Sequence, residues 1–251
     1  MNIGLCGLGK AGKKFVEFTI GSEQYCLNTV LCRENSNSAG KKVAEVTNIN
    51  VNPNLIVKKI SEFDNKEKLD VIIDFSNNPT TFELVDLCSK YKINLIICPT
   101  NFSDSEIDRI KQKAEESNIG IVFAPTLTVG INMLIDFVQK LSSIFSDFSF
   151  EIIEKHGTQK GSPTKTAKVI GESICRNNVN ISSVRLDGFV GVHEVIATNG
   201  YECISLEHQS FSRDAFVNGA LIAANYIYGK TGFFYIREIF DEMIAESYLK
   251  G

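Results

Sequence analysis

A short apolar segment, Asn2-Ile3-Gly4-Leu5-Cys6, runs straight into Gly7-Leu8-Gly9-Lys10-Ala11-Gly12, and helix-forming residues come next. This G-x-G-x-x-G turn constrains the fold more than any other feature of the chain. The first glycine permits a tight turn, the second lets the backbone approach a pyrophosphate, and the third lets the helix close on the strand. A phosphate then meets the free N–H groups at the helix N-terminus. The glycine spacing alone is weak, but its strand–turn–helix setting puts dinucleotide binding ahead of a merely tight turn. NAD sites carry an acidic residue about 20 positions further on, against the ribose 2′-OH. Here the second strand ends Leu31-Cys32-Arg33-Glu34. Arg33 is placed to pair with a 2′-phosphate, which favours NADPH, while Glu34 keeps NADH open.

The segments LDVIIDFS, INLIICPT and IGIVFAPT read as further buried strands. Between them lie two helices. One has Asn78 as its N-cap and Pro79 in its first turn. The other is opened by Ser103 with acidic residues behind it. In the first helix of the chain, Phe15, Val16 and Phe18 form the apolar side. Nearly all-apolar strands alternating with helices predict a parallel sheet covered on both faces. From Gly130 the pattern changes to a helix over 131–145, a strand over 148–156, a short helix from Ala167, and strands joined by turns over 182–212. The sequence TNGY is a hairpin candidate there. RDAFVNGALIAANYIYGK reads as a final long helix. The expected fold class is α/β, with a Rossmann-type parallel-sheet nucleotide domain at 1–126 and 213–251 and a second α+β domain at 127–212.

A net charge of −4 gives no basic surface for a nucleic-acid backbone, so no nucleic-acid partner is expected. No apolar run reaches the roughly 18 residues of a membrane span. With no cationic leader pattern either, no membrane association and a cytoplasmic location are expected. The seven cysteines are scattered and never spaced CxxC, which reads as free thiols buried like small apolar residues. The three histidines show no metal-ligand spacing, so no metal is expected.

One segment fits none of these elements. Glu154-Lys155-His156-Gly157-Thr158-Gln159-Lys160 leads into Gly161-Ser162-Pro163-Thr164-Lys165-Thr166-Ala167-Lys168, collecting four lysines around a histidine. It resembles the E-x-H-H-x-x-K-x-D-A-P-S-G-T-A stretch of the dihydrodipicolinate reductases. The similarity runs nearly end to end. GLGKAG resembles that family's G-x-x-G-R-M-G turn, DVIIDFS its strand ending D-F-T, and CPTNF its G-T-T-G-F. APTLTVGIN resembles A-x-N-x-S-x-G-x-N, and GFVGVHEV resembles G-x-I-V-G-E-H-x-V. EHQSFSRDAFVNGAL matches H-x-A-x-S-R-x-x-F-A-x-G-A-L at His208, Ser212, Arg213, Phe216 and Gly219.

The resemblance implies an NAD(P)H-dependent reductase of 4-hydroxy-tetrahydrodipicolinate in the diaminopimelate–lysine pathway. It implies a small dicarboxylate substrate and a homo-oligomer, a tetramer, built through the second domain. His156 becomes the acid/base and Lys160 the cation that offsets developing charge. The cofactor would meet Gly7, Leu8, Gly9, Lys10, Ala11, Gly12, Arg33, Cys98, Pro99, Thr100, Ala124, Thr126, Leu127, Arg213 and Phe216. The substrate would meet Gly157, Thr164, Lys165 and Thr166. This chain differs where the family has a second histidine (Gly157), a glycine (Lys165) and G-T-T (Cys98-Pro99-Thr100), and its loop is one residue shorter. Two other readings keep the same fold and cofactor. One is a reductase of another anionic cyclic imine or carbonyl compound. The other is a non-catalytic NADP-binding regulatory paralogue.

Overall fold

The computed structural model describes residues 1–176 and 179–249. The chain forms two units, Met1–Leu127 together with the chain from Phe216 onward, and Thr128–Ala215. In order, the elements are β1 (Asn2–Cys6), α1 (Lys10–Thr19), β2 (Cys26–Cys32), α2 (Val43–Thr47), β3 (Val57–Lys59), β4 (Val71–Asp74), α3 (Asn78–Tyr91), β5 (Asn94–Ile97), α4 (Asp104–Ser117) and β6 (Gly120–Phe123). After β6 come α5 (Val129–Ile144), β7 (Ser149–His156), α6 (Lys165–Ser173), β8 (Asn180–Arg185), β9 (Gly191–Thr198), β10 (Cys203–Ser210), α7 (Asp214–Ile227), β11 (Gly232–Tyr235) and α8 (Ile236–Leu249).

Among the described residues, the first unit holds a seven-stranded sheet in the order β11-β6-β5-β4-β1-β2-β3. Every pairing in it is parallel. Ile72, Ile73, Leu95, Ile96 and Ile97 are fully buried. Burial on both faces explains why these strands read as unbroken apolar runs. In α1 the inward residues are Phe15, Val16 and Thr19, whereas Phe18 is 45% exposed. Phe18 is therefore not part of the buried face, because it lies outside the i, i+1, i+4 stripe. The cap of α3 is Asn77 rather than Asn78, and its side chain accepts from the Thr80 N–H at 3.3 Å. Ser103 caps α4 in a reciprocal box with Glu106. Helix α7 is not the last element, since β11 adds beside β6 and α8 comes after it. A four-residue edge strand carries too little pattern to read from sequence. All seven thiols are free, but Cys26, Cys175 and Cys203 are exposed and so are not core residues.

The second unit is a mixed sheet in the order β10-β9-β7-β8. Strands β7–β9 and β9–β10 pair antiparallel, β7–β8 parallel. Helices α5 and α6 supply Leu134, Ile135, Val138 and Ile170, which pack with Ile152 and Val195 of the sheet. The β9–β10 hairpin turns through Asn199-Gly200-Tyr201, and Thr198 Oγ1 donates to the Glu202 carbonyl at 2.8 Å.

Candidate functional site

In the first unit, a cavity of about 300 Å³ is lined by Gly7, Leu8, Gly9, Cys32 and Arg33, from the C-terminal ends of β1 and β2. Gly7 has φ +95, a region that disfavours side chains, and a Cβ there would lie 2.7 Å from the Phe75 carbonyl oxygen. A Cβ on Gly12 would lie 1.9 Å from the Gly7 oxygen, whereas one on Gly9 would meet nothing within 4 Å. Thus Gly7 and Gly12 serve the fold of the turn, and Gly9 leaves open space beside it. The first helical bond runs from the Lys13 N–H to the Gly9 carbonyl. No side chain caps α1. The N–H groups of Lys10, Ala11 and Gly12 are thus without helical partners, which suits an anionic pyrophosphate.

Ser36, Ser38, Phe75, Ser76, Asn77 and Thr80 also line this cavity, and sequence reasoning missed them. The signal lay in where DVIIDFS ends, because the residues just after β4 sit at the ligand-binding edge of a parallel sheet. Asp74, fully buried at that end, accepts from the Ser76 N–H at 2.8 Å and from the Thr81 hydroxyl at 2.5 Å. Burial nevertheless pushes its carboxyl up to about 6. Glu34 is engaged elsewhere, its carboxylate accepting from the Ser61 N–H at 3.2 Å. Cys98, Pro99 and Thr100 come directly after β5, and Ala124, Thr126 and Leu127 come after β6. They lie beyond the same ends of the sheet but do not line this cavity. Arg213 immediately precedes α7 and Phe216 falls in its first turn.

In the second unit, β7 delivers Glu154 and His156 to one face two residues apart, and β9 delivers His193 opposite Glu154. All three are buried, at 0%, 6% and 4% exposure. Glu154 Oε1 accepts from the Thr164 N–H (3.0 Å), the Ser183 hydroxyl (2.6 Å) and Arg185 Nη2 (2.7 Å). Its Oε2 accepts from the Thr164 hydroxyl and lies 3.4 Å from His156 Nδ1 and 3.9 Å from His193 Nε2. Burial alone would raise this carboxyl; the hydrogen bonds from Ser183, Thr164 and Arg185 outweigh it and hold it at about 2. Burial lowers His156, with Arg185 and Lys160 adding to the effect and Glu154 opposing it. Burial, then the charge of His156, takes His193 down to about 3.

The atoms of Glu154, His156 and His193 gather within 4.8 Å, a grouping that the sequence spacing did not reveal. That spacing suits a small cation. The guanidinium at 2.7 Å already neutralises the carboxylate, however, and four donors occupy it, so the group is built as a hydrogen-bonded anchor. Lys160 is exposed on the loop after β7, and Gly157 is half-buried. Lys165 is exposed and Thr166 half-buried at the start of α6. Thr164 differs from its expected role. It is the N-cap of α6, accepting from the Ala167 N–H, and its one proton goes to Glu154. It therefore has none to offer a ligand carboxylate.

Two family models match the chain. The one described as dihydrodipicolinate reductase, N-terminus, matches residues 1–127, and that of its C-terminus matches residues 130–240. A 4-hydroxy-tetrahydrodipicolinate reductase of Buchnera aphidicola subsp. Baizongia pistaciae is 30% identical, over 92% of this chain and 93% of the relative. One from Methanopyrus kandleri is 27% identical over 87% and 88%. A dipicolinate-bound dihydrodipicolinate reductase from Paenisporosarcina sp. TG-14 superposes with a TM-score of 0.78 at 22% identity, covering 94% of this chain and 97% of that one. An amine dehydrogenase from Mycobacterium smegmatis shares the fold, with a TM-score of 0.69 at 8% identity over 94% and 95%.

Proposed function

This chain belongs to the dihydrodipicolinate reductase family, and we propose that it reduces 4-hydroxy-tetrahydrodipicolinate to tetrahydrodipicolinate with NAD(P)H. The observation that carries this reading is the buried Glu154–His156–His193 group beside the Lys160 loop, in a chain whose other unit holds a dinucleotide turn. Loss of water from the 4-hydroxy compound gives a conjugated cyclic imine. The nicotinamide supplies a hydride to the ring, and one proton completes the reduction, leaving NAD(P)⁺, water and tetrahydrodipicolinate. The hydride carries an electron pair onto the ring, so the protein must supply a proton and positive charge. His156 donates that proton from Nε2, because its Nδ1 is turned to Glu154. Lys160 meets the developing negative charge. The backbone N–H groups of Lys165 and Thr166, with the Lys165 ammonium and the Thr166 hydroxyl, hold the substrate carboxylates at the α6 N-terminus.

The preferred cofactor is NADPH. Arg33, Ser36 and Ser38 line the pocket where a 2′-phosphate would sit, while Glu34 is bound to Ser61. Among the described residues no helix is long and apolar enough to cross a membrane. A cytoplasmic homotetramer is the form we infer for the active protein.

The test mixes the protein with NADPH and enzymatically generated substrate. Loss of the reduced-cofactor absorbance, abolished in His156→Ala, is the expected result; folded wild type that consumes no NADPH refutes the assignment. Gly157 and Lys165 favour a second reading, a different anionic imine, in which Lys165→Gly creates no activity on the lysine-pathway substrate. A regulatory paralogue instead binds NADPH without turning over any of these compounds.

A further inference from the structure

Arg185 ends β8 and is registered opposite His156. Its guanidinium is shared among four acceptors. Nε donates to the Lys160 carbonyl at 3.0 Å and Nη2 to the Gly161 carbonyl at 2.6 Å. Nη2 also reaches Glu154 Oε1 at 2.7 Å, and Nη1 reaches the Val184 carbonyl at 3.0 Å. One planar group therefore holds both the backbone of the Lys160 loop and the carboxylate lying against His156 Nδ1. Two further bonds brace the same loop. Thr158 donates its hydroxyl to Asp187 at 2.7 Å, and the Lys160 N–H bonds the Gly157 carbonyl at 3.0 Å. Glu154 is fully buried and Arg185 half-buried, and replacing such a pair by apolar residues is often neutral for stability, so stability alone does not account for this one.

We infer that Arg185 and Glu154 are a pair of positioning residues that fix the Lys160 ammonium and the His156 ring relative to each other. Arg185 sets the backbone from which Lys160 projects. Glu154 turns Nδ1 of His156 inward and leaves Nε2 for the reacting atoms. The 3.4 Å approach of Nδ1 is longer than an aligned hydrogen bond, and among the described residues Nδ1 has no hydrogen-bond partner, so a small ring rotation tightens it when substrate binds. A lysine at 185 keeps the charge but cannot span Lys160, Gly161 and Glu154 at once.

The inference rests on the roles proposed for His156 and Lys160, and the experiment separates the two. Wild type, His156→Ala, Arg185→Lys, Arg185→Ala and Glu154→Gln are assayed with NADPH and the lysine-pathway substrate. Expected is a fall in kcat of about 100-fold for both Arg185 variants with KM for substrate and NADPH nearly unchanged, the scale set by a misplacement of about 1 Å. Added guanidinium or methylguanidine partly restores Arg185→Ala. The groups facing His156 are Glu154 of the same strand, Arg185 of β8, His193 of β9 and Lys160 of the loop. Removing the guanidinium therefore moves the alkaline limb of the kcat profile up in pH, and Glu154→Gln moves it down. A purely structural role would give neither the opposed shifts nor the rescue. Arg185→Ala with wild-type kcat, or a loss without rescue and without a pH shift, overturns the inference. If instead His156→Ala is as active as wild type, the functional reading falls. Hydrogen exchange of the Lys160 amide then still reports on the pair. Faster exchange in Arg185→Lys, with the remaining sheet amides unchanged, supports it, and unchanged exchange refutes it.

Discussion

His156 and His193 meet edge to face, their ring centroids 5.0 Å apart at 71°, with Glu154 beside both. Burial lowers the proton affinity of both rings, most of all that of His193. His193 is held at about 3 against an ordinary 6.5, first by burial and then by the charge of His156. A depressed pKa contributes stability that is complete above pH 6.5 and is lost as pH falls toward 3. Glu154, held at about 2, adds a loss in the same direction at more acid pH. Urea midpoints measured from pH 7 to pH 4 will therefore decline. The His193→Gln protein will show a flatter decline, because it has no buried imidazole to charge.

The glycine turn separates folding from binding. Gly12→Ala forces a methyl to within 1.9 Å of the Gly7 carbonyl, so helix and strand must part. A loss of at least about 2 kcal/mol in unfolding free energy is expected, the range of severe backbone overpacking. Gly9→Ala meets no protein atom within 4 Å. It will unfold at the wild-type temperature yet bind NADPH at least about tenfold more weakly by calorimetry, since its methyl occupies space that a pyrophosphate needs.

Much of the nucleotide unit was legible because its rules are local. Buried parallel strands announce themselves as apolar runs, and the turn's glycines have fixed jobs. The edge strands β3 and β11, three and four residues long, left no such pattern. The second unit was legible only in pieces. His156 and Lys160 stood out through the motif around them, but Arg185 and His193 reach Glu154 through strand pairings 31 and more residues away in sequence. Nothing in local periodicity records a pairing of that kind. Thr164 shows the converse. The motif marked its hydroxyl as a ligand group, and only the fold shows that its proton is already given to Glu154.

Arg33 lines the nucleotide cavity with Ser36 and Ser38, and among the described residues no carboxylate side chain shares that wall. Arg33→Ala will raise the KM for NADPH by about tenfold or more, the scale of one charge-assisted phosphate contact, and leave that for NADH nearly unchanged. The ratio of kcat/KM for the two cofactors is the measurement. An equal effect on both would mean that Arg33 does not meet the 2′-phosphate.

Gly191, the first residue of β9, gives a direct test of how tightly His156 is held. A Cβ at this position would lie 3.0 Å from Nε2 and 3.4 Å from Cδ2 of the His156 ring. The ring cannot simply retreat, because Glu154 and His193 stand on its other sides. Gly191→Ala is therefore expected to cost about 1–3 kcal/mol through overpacking. It should also lower kcat by about tenfold or more by displacing the nitrogen proposed to donate the proton, with little change in the KM for NADPH. Gly171→Ala in α6 is the matched control. Its methyl would stand 3.5 Å from Ile152 Cδ1, ordinary contact, at a helical position where alanine gains up to about 1 kcal/mol over glycine. That protein should unfold no earlier than wild type and turn over at the same rate. Equal kcat in the two variants would show that the ring has room to move and that its placement does not limit proton transfer.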